Sequence, residues 1–189
     1  AGLEAVVLSP ASTAGLKGDA SAAYDAWRKA GGTMLAFSVE HLQVCEVIVD
    51  ALFGTSLERP LEGEWRAAIE AMNASGRPVF AIDIPSGLHA DSGQVLGAAV
   101  RAALTLSFIG LKAGLFTGQG REHSGLILFD DLGVPGAVFS DVTPLARRIT
   151  QRNLHGLLAP RVRHAHKGDA GRVLVVGGQP GMPGAVRLA

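Results

Sequence analysis

Three short segments gather the side chains whose types and spacing could do chemistry. The first, residues 47–60, reads VIVDALFGTSLERP: an apolar, β-branched run closes on a carboxylate, Asp50, and opens into a Gly/Thr/Ser loop. The second, residues 81–88, is AIDIPSGL, and the third, residues 107–115, is SFIGLKAGL. An acid that ends an apolar strand can cap the following turn or hold a ligand. Gly54, Thr55 and Ser56 offer free backbone N–H groups and two hydroxyls, a cradle for a phosphate or another polar ligand, although Gly/Ser loops are often plain turns. In the second segment Pro85 removes a backbone donor, fixes the turn and biases Ile84 toward extended backbone, and Ser86 and Gly87 complete an oxygen-rich bend. Asp83 there can close an Asx-type turn or carry a proton. Asp50 and Ser86 together supply hard oxygen ligands for a cation, with backbone carbonyls completing the shell, which leaves Asp83 for proton transfer. Lys112 either snorkels from a strand end or neutralises a phosphate and assists Asp83.

These segments need a scaffold that brings them to one place. Apolar runs with β-branched character recur at residues 3–8, 44–49, 79–84, 104–109, 126–130 and 172–176. Nearly continuous apolar strands, as opposed to alternating ones, point to parallel strands buried on both faces. Helices are expected at 17–30, ended by Gly31-Gly32, and at 64–75, where Trp65, Ala68, Ile69 and Met72 share a face and Gly76 stops the element. Strand and helix in alternation give βαβ units and a doubly wound, Rossmann-like sheet, in which ligands bind beyond the carboxyl ends of the strands. All three chemical segments fall at such ends.

Composition narrows the class. Of 189 residues 48% are hydrophobic and only 5% aromatic, with 25 glycines, which suits an α/β chain with many tight turns better than a β-sandwich. Lys+Arg and Asp+Glu balance at 17 each, so no global field favours nucleic acid or an anionic membrane. No apolar run approaches the roughly 18–20 residues a membrane helix needs, and nothing resembles a signal peptide. Cys45 is the single cysteine and cannot form an internal disulfide, which fits a reducing, cytoplasmic setting. Of the six histidines, only His164 and His166 are closely spaced, in a basic stretch that reads as solvated and not as a zinc site. Gly118 and Gly120 read as a flexible turn without a chemical role.

From Gly133 to about Arg163 the chain mixes Pro, Arg and His without periodicity, as the tail of one domain and a connection to the next. HKGDAGRVLVVGGQPGMPGAVRLA then gives loop, strand, glycine loop and helix start. The opening AGLEAVVLSP reads as a helix tail, a turn and a strand, and both ends read as cut from a longer protein.

Four motifs in order, DALFGTSLERPLEGE, FAIDIPSGLHADSGQVLGAAVRA, LSFIGLKAGLFTGQGREHSG and FDDLGVP, resemble the C-terminal two-thirds of the NAD(P)H-hydrate epimerase domain. The HKGDAG segment resembles the start of the ADP-dependent NAD(P)H-hydrate dehydratase domain, in the order of the bacterial bifunctional repair enzymes. The resemblance implies a three-layer α/β/α Rossmann-like domain, incomplete at its N-terminus, over residues 1–135. A connection over 136–163 and the first unit of a ribokinase-like domain over 164–189 would follow. It implies an enzyme that interconverts the R and S hydrates of NADH and NADPH at C6, followed in the longer protein by ADP-dependent dehydration of the S form. Gly54, Thr55, Ser56, Leu57, Glu58, Arg59, Pro60 and Asp83 would contact the hydrate, and Asp50 and Ser86 would bind a potassium ion. Asp83 would protonate the leaving hydroxyl and deprotonate the returning water, with Lys112 stabilising charge beside it. The partner is then a small molecule, with homo-oligomers common in the family. Ser56 stands where the family usually has Gly, and His89 and Ala170 also depart from its pattern. A non-catalytic Rossmann-like binding module is the alternative, but such a scaffold has no need of Asp50, Asp83, Ser86 and Lys112 together.

Overall fold

The structure is a computed structural model that describes residues 4–12, 15–155, 163–166, 168–169, 171–179, 181 and 184–188. The chain divides into two compact units, Ala1–Ala146 and Arg147–Ala189. In the first unit the elements run β1 (Val7–Ser9), α1 (Gly18–Lys29), β2 (Met34–Ala36), α2 (Val39–Val44), β3 (Ile48–Asp50), α3 (Gly63–Ala74), β4 (Val79–Ile82), β5 (Leu104–Phe108), α4 (Gly120–His123) and β6 (Leu126–Asp130). Every named strand pairs in parallel: β1 with β2 in one small sheet, and β3-β4-β5-β6 side by side in a second. The α/β class and the parallel pairing are those read from the apolar runs. The short β2 and α2 had no counterpart in that reading.

Local chemistry accounts for the helices. Asp19 in the first turn of α1 and Arg28 and Lys29 in the last complement the helix dipole, and Gly31 at φ 92° supplies the left-handed exit. In α3 Ala68, Ile69 and Met72 form the buried face, and Trp65 packs edge-on against Phe53 with ring centroids 4.9 Å apart. An Arg66–Glu70 pair spans one turn of its solvent side.

The main core lies between α3 and one face of the four-stranded sheet, where Ile48, Val79 and Ala81 meet Ile69 and Met72. A smaller cluster of Ile84, Leu88, Ala90, Ala99 and Leu115 sits under the loops. The expectation of strands buried on both faces does not hold among the described residues. The ladder aligns Val49 with Phe80 and Leu126's partner Leu104, and Ile82 with Leu106 and Leu128. This row is apolar yet open, with Val49 60% and Leu126 62% exposed, because no described element packs across it. Apolar composition reports a surface able to be buried; burial also needs a covering layer.

The β4–β5 crossover, residues 83–103, contains no helix and is fastened by backbone bonds instead. Leu88 bridges Val95, Leu96 N–H donates to Gly87 O at 2.8 Å, and Val100 N–H donates to Ser86 O at 2.9 Å. Glycines let it press on the segment after β5. A Cβ on Gly93 would lie 2.0 Å from Thr117 O, one on Gly118 2.6 Å from Ser92 O, and one on Gly120 1.8 Å from Gly114 O. Gly118 and Gly120 are therefore close-packing positions, and the flexible turn expected there is a tight backbone crossing.

The second unit contains α5 (Gln151–His155) and α6 (Gly184–Leu188). The helix start expected at the C-terminal GAVRLA segment is present in α6. The strand expected at 172–176 is not: these residues join no ladder among the described residues, and Val173, Leu174 and Val176 are 84–88% exposed. A strand exists only by pairing, so an apolar run with no neighbour remains extended coil. Ala1 to Leu3, part of the helix tail expected at the N-terminus, and Ala170 lie outside the described residues.

Candidate functional site

Because all four strands of the larger sheet are parallel, the C-terminal ends of β3, β4 and β5 lie along one edge. They deliver Asp50, Asp83 and the Ser107 to Lys112 stretch to that edge, as the spacing of the three segments implies.

Asp50 is 1% exposed and closes β3. Ser86 donates its hydroxyl to Asp50 Oδ1 at 2.6 Å and its backbone N–H to Oδ2 at 2.8 Å, and Leu52 N–H reaches Oδ1 at 3.3 Å. The Ser86 hydroxyl in turn accepts from Phe53 N–H at 2.9 Å. Asp50 and Ser86, paired in sequence reasoning, are thus in direct contact. Burial pushes the Asp50 carboxyl above the ordinary carboxylate range, against the downward pull of the Ser86 and Leu52 donors. All these donors are neutral, and no described cationic side chain bonds or pairs with Asp50. A carboxyl held this far from water needs a proton or an opposite charge, and a hard cation is one group its hydroxyl and backbone surroundings would accept. Oδ2 accepts one bond in this arrangement and keeps capacity for another contact. Among the described residues no group of three or more His, Cys, Asp and Glu side chains is placed to hold a metal, so a cation at Asp50 would take its other ligands from hydroxyl and carbonyl oxygen.

Asp83 follows β4 with φ 70°, a left-handed backbone that Asp tolerates better than most residues. Its N–H still donates to Leu106 O at 2.8 Å, so the turn leaves the ladder intact. Its Oδ1 is held by Lys112 Nζ, by Phe108 N–H at 3.0 Å and by the Ser107 hydroxyl at 3.5 Å. Lys112 is fixed from behind by Phe108 O at 2.9 Å. No described group bonds Oδ2, which leaves one carboxylate oxygen anchored and the other open. The pair is mostly enclosed, with Lys112 16% and Asp83 25% exposed. Lys112 therefore does not simply snorkel to solvent. It is the direct partner of Asp83.

The 54–60 loop runs from β3 toward α3. Gly54, Thr55, Ser56, Glu58, Arg59 and Pro60 are exposed, and Leu57 is buried in the main core. Leu57 is the loop's anchor, so contact with a ligand there falls to its backbone.

Sequence reasoning did not single out Ser107, fully buried between the two charged partners. A signal was present: a hydroxyl on the covered face of an apolar strand, one residue from its end. It also missed the pairing of Glu58 with His89, for which no local pattern exists.

Residues 1–114 match the family model described as YjeF-related protein N-terminus. The chain belongs to this family. It is 43% identical over 173 residues to a bifunctional NAD(P)H-hydrate repair enzyme of Vibrio cholerae, covering 92% of this chain and 35% of that protein. A protein of the same name from Coxiella burnetii is 40% identical over 188 residues, covering 100% of this chain and 38% of the relative. An NAD(P)H-hydrate epimerase of Achromobacter xylosoxidans is 44% identical over 129 residues, 68% of this chain and 62% of the relative. The chain thus spans a little over one third of the length of these two bifunctional relatives. Among the described residues no helix is long and apolar enough to cross a membrane.

Proposed function

We propose that this chain carries the epimerase site of an NAD(P)H-hydrate repair enzyme, acting on hydrated NADH and NADPH at C6 of the nicotinamide ring. The observation that carries the reading is Asp83. Its Oδ1 is locked by Lys112 and Phe108 while its Oδ2 stands open at the edge where three strands end. Relatives named for the activity match across these residues.

Epimerisation requires the C6 hydroxyl to leave and water to return on either face. The ring nitrogen lone pair expels the hydroxyl as water once a proton reaches it, leaving a planar iminium. Addition of water to either face, with loss of a proton, restores the hydrate. The Lys112–Asp83 pair supplies that proton and takes it back through Oδ2, so no net proton is consumed. Lys112 also offsets charge as it develops beside the ring. The 54–60 loop, with its exposed Gly54, Thr55 and Ser56 backbone, contacts the nucleotide. Asp50 and Ser86 would hold a potassium ion, which when bound supplies positive charge next to the substrate pocket.

In the longer protein the open face of the larger sheet would be covered, giving the three-layer Rossmann-like domain over 1–135. Residues 164–189 would begin the ribokinase-like, ADP-dependent dehydratase that acts on the S hydrate, joined through 136–163. The proposal assigns isomerase chemistry to this chain and lyase chemistry to the dehydratase, with a reducing, cytoplasmic setting and possible homo-oligomers.

The decisive experiment is R-to-S conversion of NADH hydrate by the chain, measured against the spontaneous rate with and without potassium. Potassium-dependent acceleration is expected. No acceleration over the spontaneous rate by the folded chain would overturn the reading.

A further inference from the structure

The 54–60 loop has one apolar anchor, Leu57, and its remaining side chains stand in solvent. One of them is tied down. Glu58 Oε2 lies 3.5 Å from Nε2 of His89, a residue of the β4–β5 crossover. Glu58 is 79% exposed and His89 only 24%, so the imidazole is the fixed post and the carboxylate the part that moves.

Two features fix the post. The backbone N–H of Ser92 lies 3.2 Å from His89 Nδ1, and the Ser92 hydroxyl lies 3.0 Å from it. A backbone N–H can only donate, so Nδ1 accepts and the ring proton sits on Nε2, facing Glu58. The ring is therefore a donor toward the loop even when uncharged. Its backbone is equally constrained. His89 N–H donates to Gln94 O at 2.9 Å and its carbonyl accepts from Gly93 N–H at 2.9 Å. Gly114 presses so closely that a Cβ there would lie 2.2 Å from His89 O.

We propose that His89 is a positioning residue for the 54–60 loop, holding it through Glu58 in the conformation that receives the nucleotide. The inference rests on the reading of that loop as substrate-binding. An exposed pair of this kind contributes modestly, so its loss is a change of about two- to fivefold in loop opening and in affinity.

The test compares the wild-type chain with His89→Ala, His89→Gln, Glu58→Ala and the His89→Ala/Glu58→Ala double variant. Amide hydrogen exchange across 54–60 and the KM and kcat for NADH hydrate are both read. Exchange in the loop should rise about two- to fivefold in His89→Ala and Glu58→Ala, and no further in the double variant. KM should rise similarly in His89→Ala with kcat held, and His89→Gln, which restores a donor, should recover part of both. Additive exchange effects in the double variant, or loop exchange unchanged by His89→Ala, would overturn the tie. Glu58→Ala changes an exposed side chain, so the comparison survives if a His89 variant folds poorly. Coupled exchange with an unchanged KM would overturn the positioning role. If the wild type itself fails to turn over the hydrate, the epimerase reading falls, and the exchange measurements still decide whether His89 holds the loop.

Discussion

Replacing Asp83 by Asn separates chemistry from structure unusually well, because the amide can keep nearly every contact that holds this position. Asn tolerates the left-handed backbone at φ 70° about as readily as Asp, so little strain is added. Its oxygen can still accept from Phe108 N–H, 3.0 Å away in the wild type, and from Lys112. What is lost is the charge of a pair whose partners are 16% and 25% exposed, a loss of about 1 kcal/mol after allowance for solvent screening. For a chain of this size that lowers Tm by roughly 2–4 °C. The catalytic loss is of another order. The amide places an NH2 where the open Oδ2 stood, and it can neither deliver nor accept the proton. Removing a general acid–base typically costs about 10²–10⁴ in rate, or roughly 3–5 kcal/mol of barrier. The assay is the potassium-dependent R-to-S rate with the spontaneous rate subtracted, alongside a thermal melt. Asp83→Asn should lose at least about a hundredfold in rate while melting within a few degrees of wild type. A variant that melts normally and epimerises within twofold of wild type would refute the assignment of proton transfer to Asp83.

Four further outcomes follow from the same structure. Potassium should stabilise the wild type and not Asp50→Asn; at ten times its dissociation constant the gain is about 1.4 kcal/mol, a Tm rise of roughly 3–6 °C read by differential scanning calorimetry. Without potassium the sign of the pH effect at Asp50 is fixed by its raised carboxyl: the native state keeps that proton to higher pH than the unfolded chain. Its contribution is therefore greatest below the ordinary carboxylate range and lost as pH rises through the raised value, a component that Asp50→Asn should lack in melts taken across that range. Gly114→Ala should destabilise by about 2 kcal/mol, lowering Tm by roughly 4–8 °C, since its Cβ would meet the His89 and Ala90 carbonyls at 2.2 and 2.6 Å, and backbone cannot move aside as a flexible side chain would. The open face of the larger sheet should bind an apolar dye such as anilinonaphthalene sulfonate, and Phe80→Thr with Leu128→Thr should reduce the fluorescence; an unchanged signal would show that the dye binds elsewhere.

Much of the site was legible in the sequence because strand ends announce themselves. An apolar run that stops at an acid places that acid at the carboxyl edge of a sheet, and parallel pairing puts every such edge on the same side. Asp50, Asp83 and Lys112 could be assigned to one region on that logic alone, and the structure brings Asp50 onto Ser86 and Lys112 onto Asp83. What the pattern could not disclose is partnership across long sequence separations. His89 and Glu58 are 31 positions apart, as 89 − 58 shows, and meet only because the crossover folds back along the loop. Gly118 and Gly120 read as a flexible turn, and nothing in the sequence singles out Gly93 or Gly114. Their shared role, allowing two backbones to touch, exists only when both segments are in place.

The same distinction explains the fold-level differences. Residues 79–84 and 172–176 are similar as strings, both short, apolar and β-branched in part. The first yields a strand at Val79–Ile82 because β3 and β5 flank it, and the second stays extended, with Val173 88% exposed, because no described segment pairs with it. Composition encodes the capacity to join a sheet, and the neighbours decide whether that capacity is used. At the site this dependence has a functional side. Asp83 is placed by bonds to β5 and to the residues just beyond it, so its geometry is set by the larger sheet. The 54–60 loop is held by one buried leucine and by the contact of Glu58 with His89. A rigidly held carboxylate and a loosely fastened loop, each following a strand of the same sheet, suit chemistry that must stay fixed while a nucleotide enters and leaves.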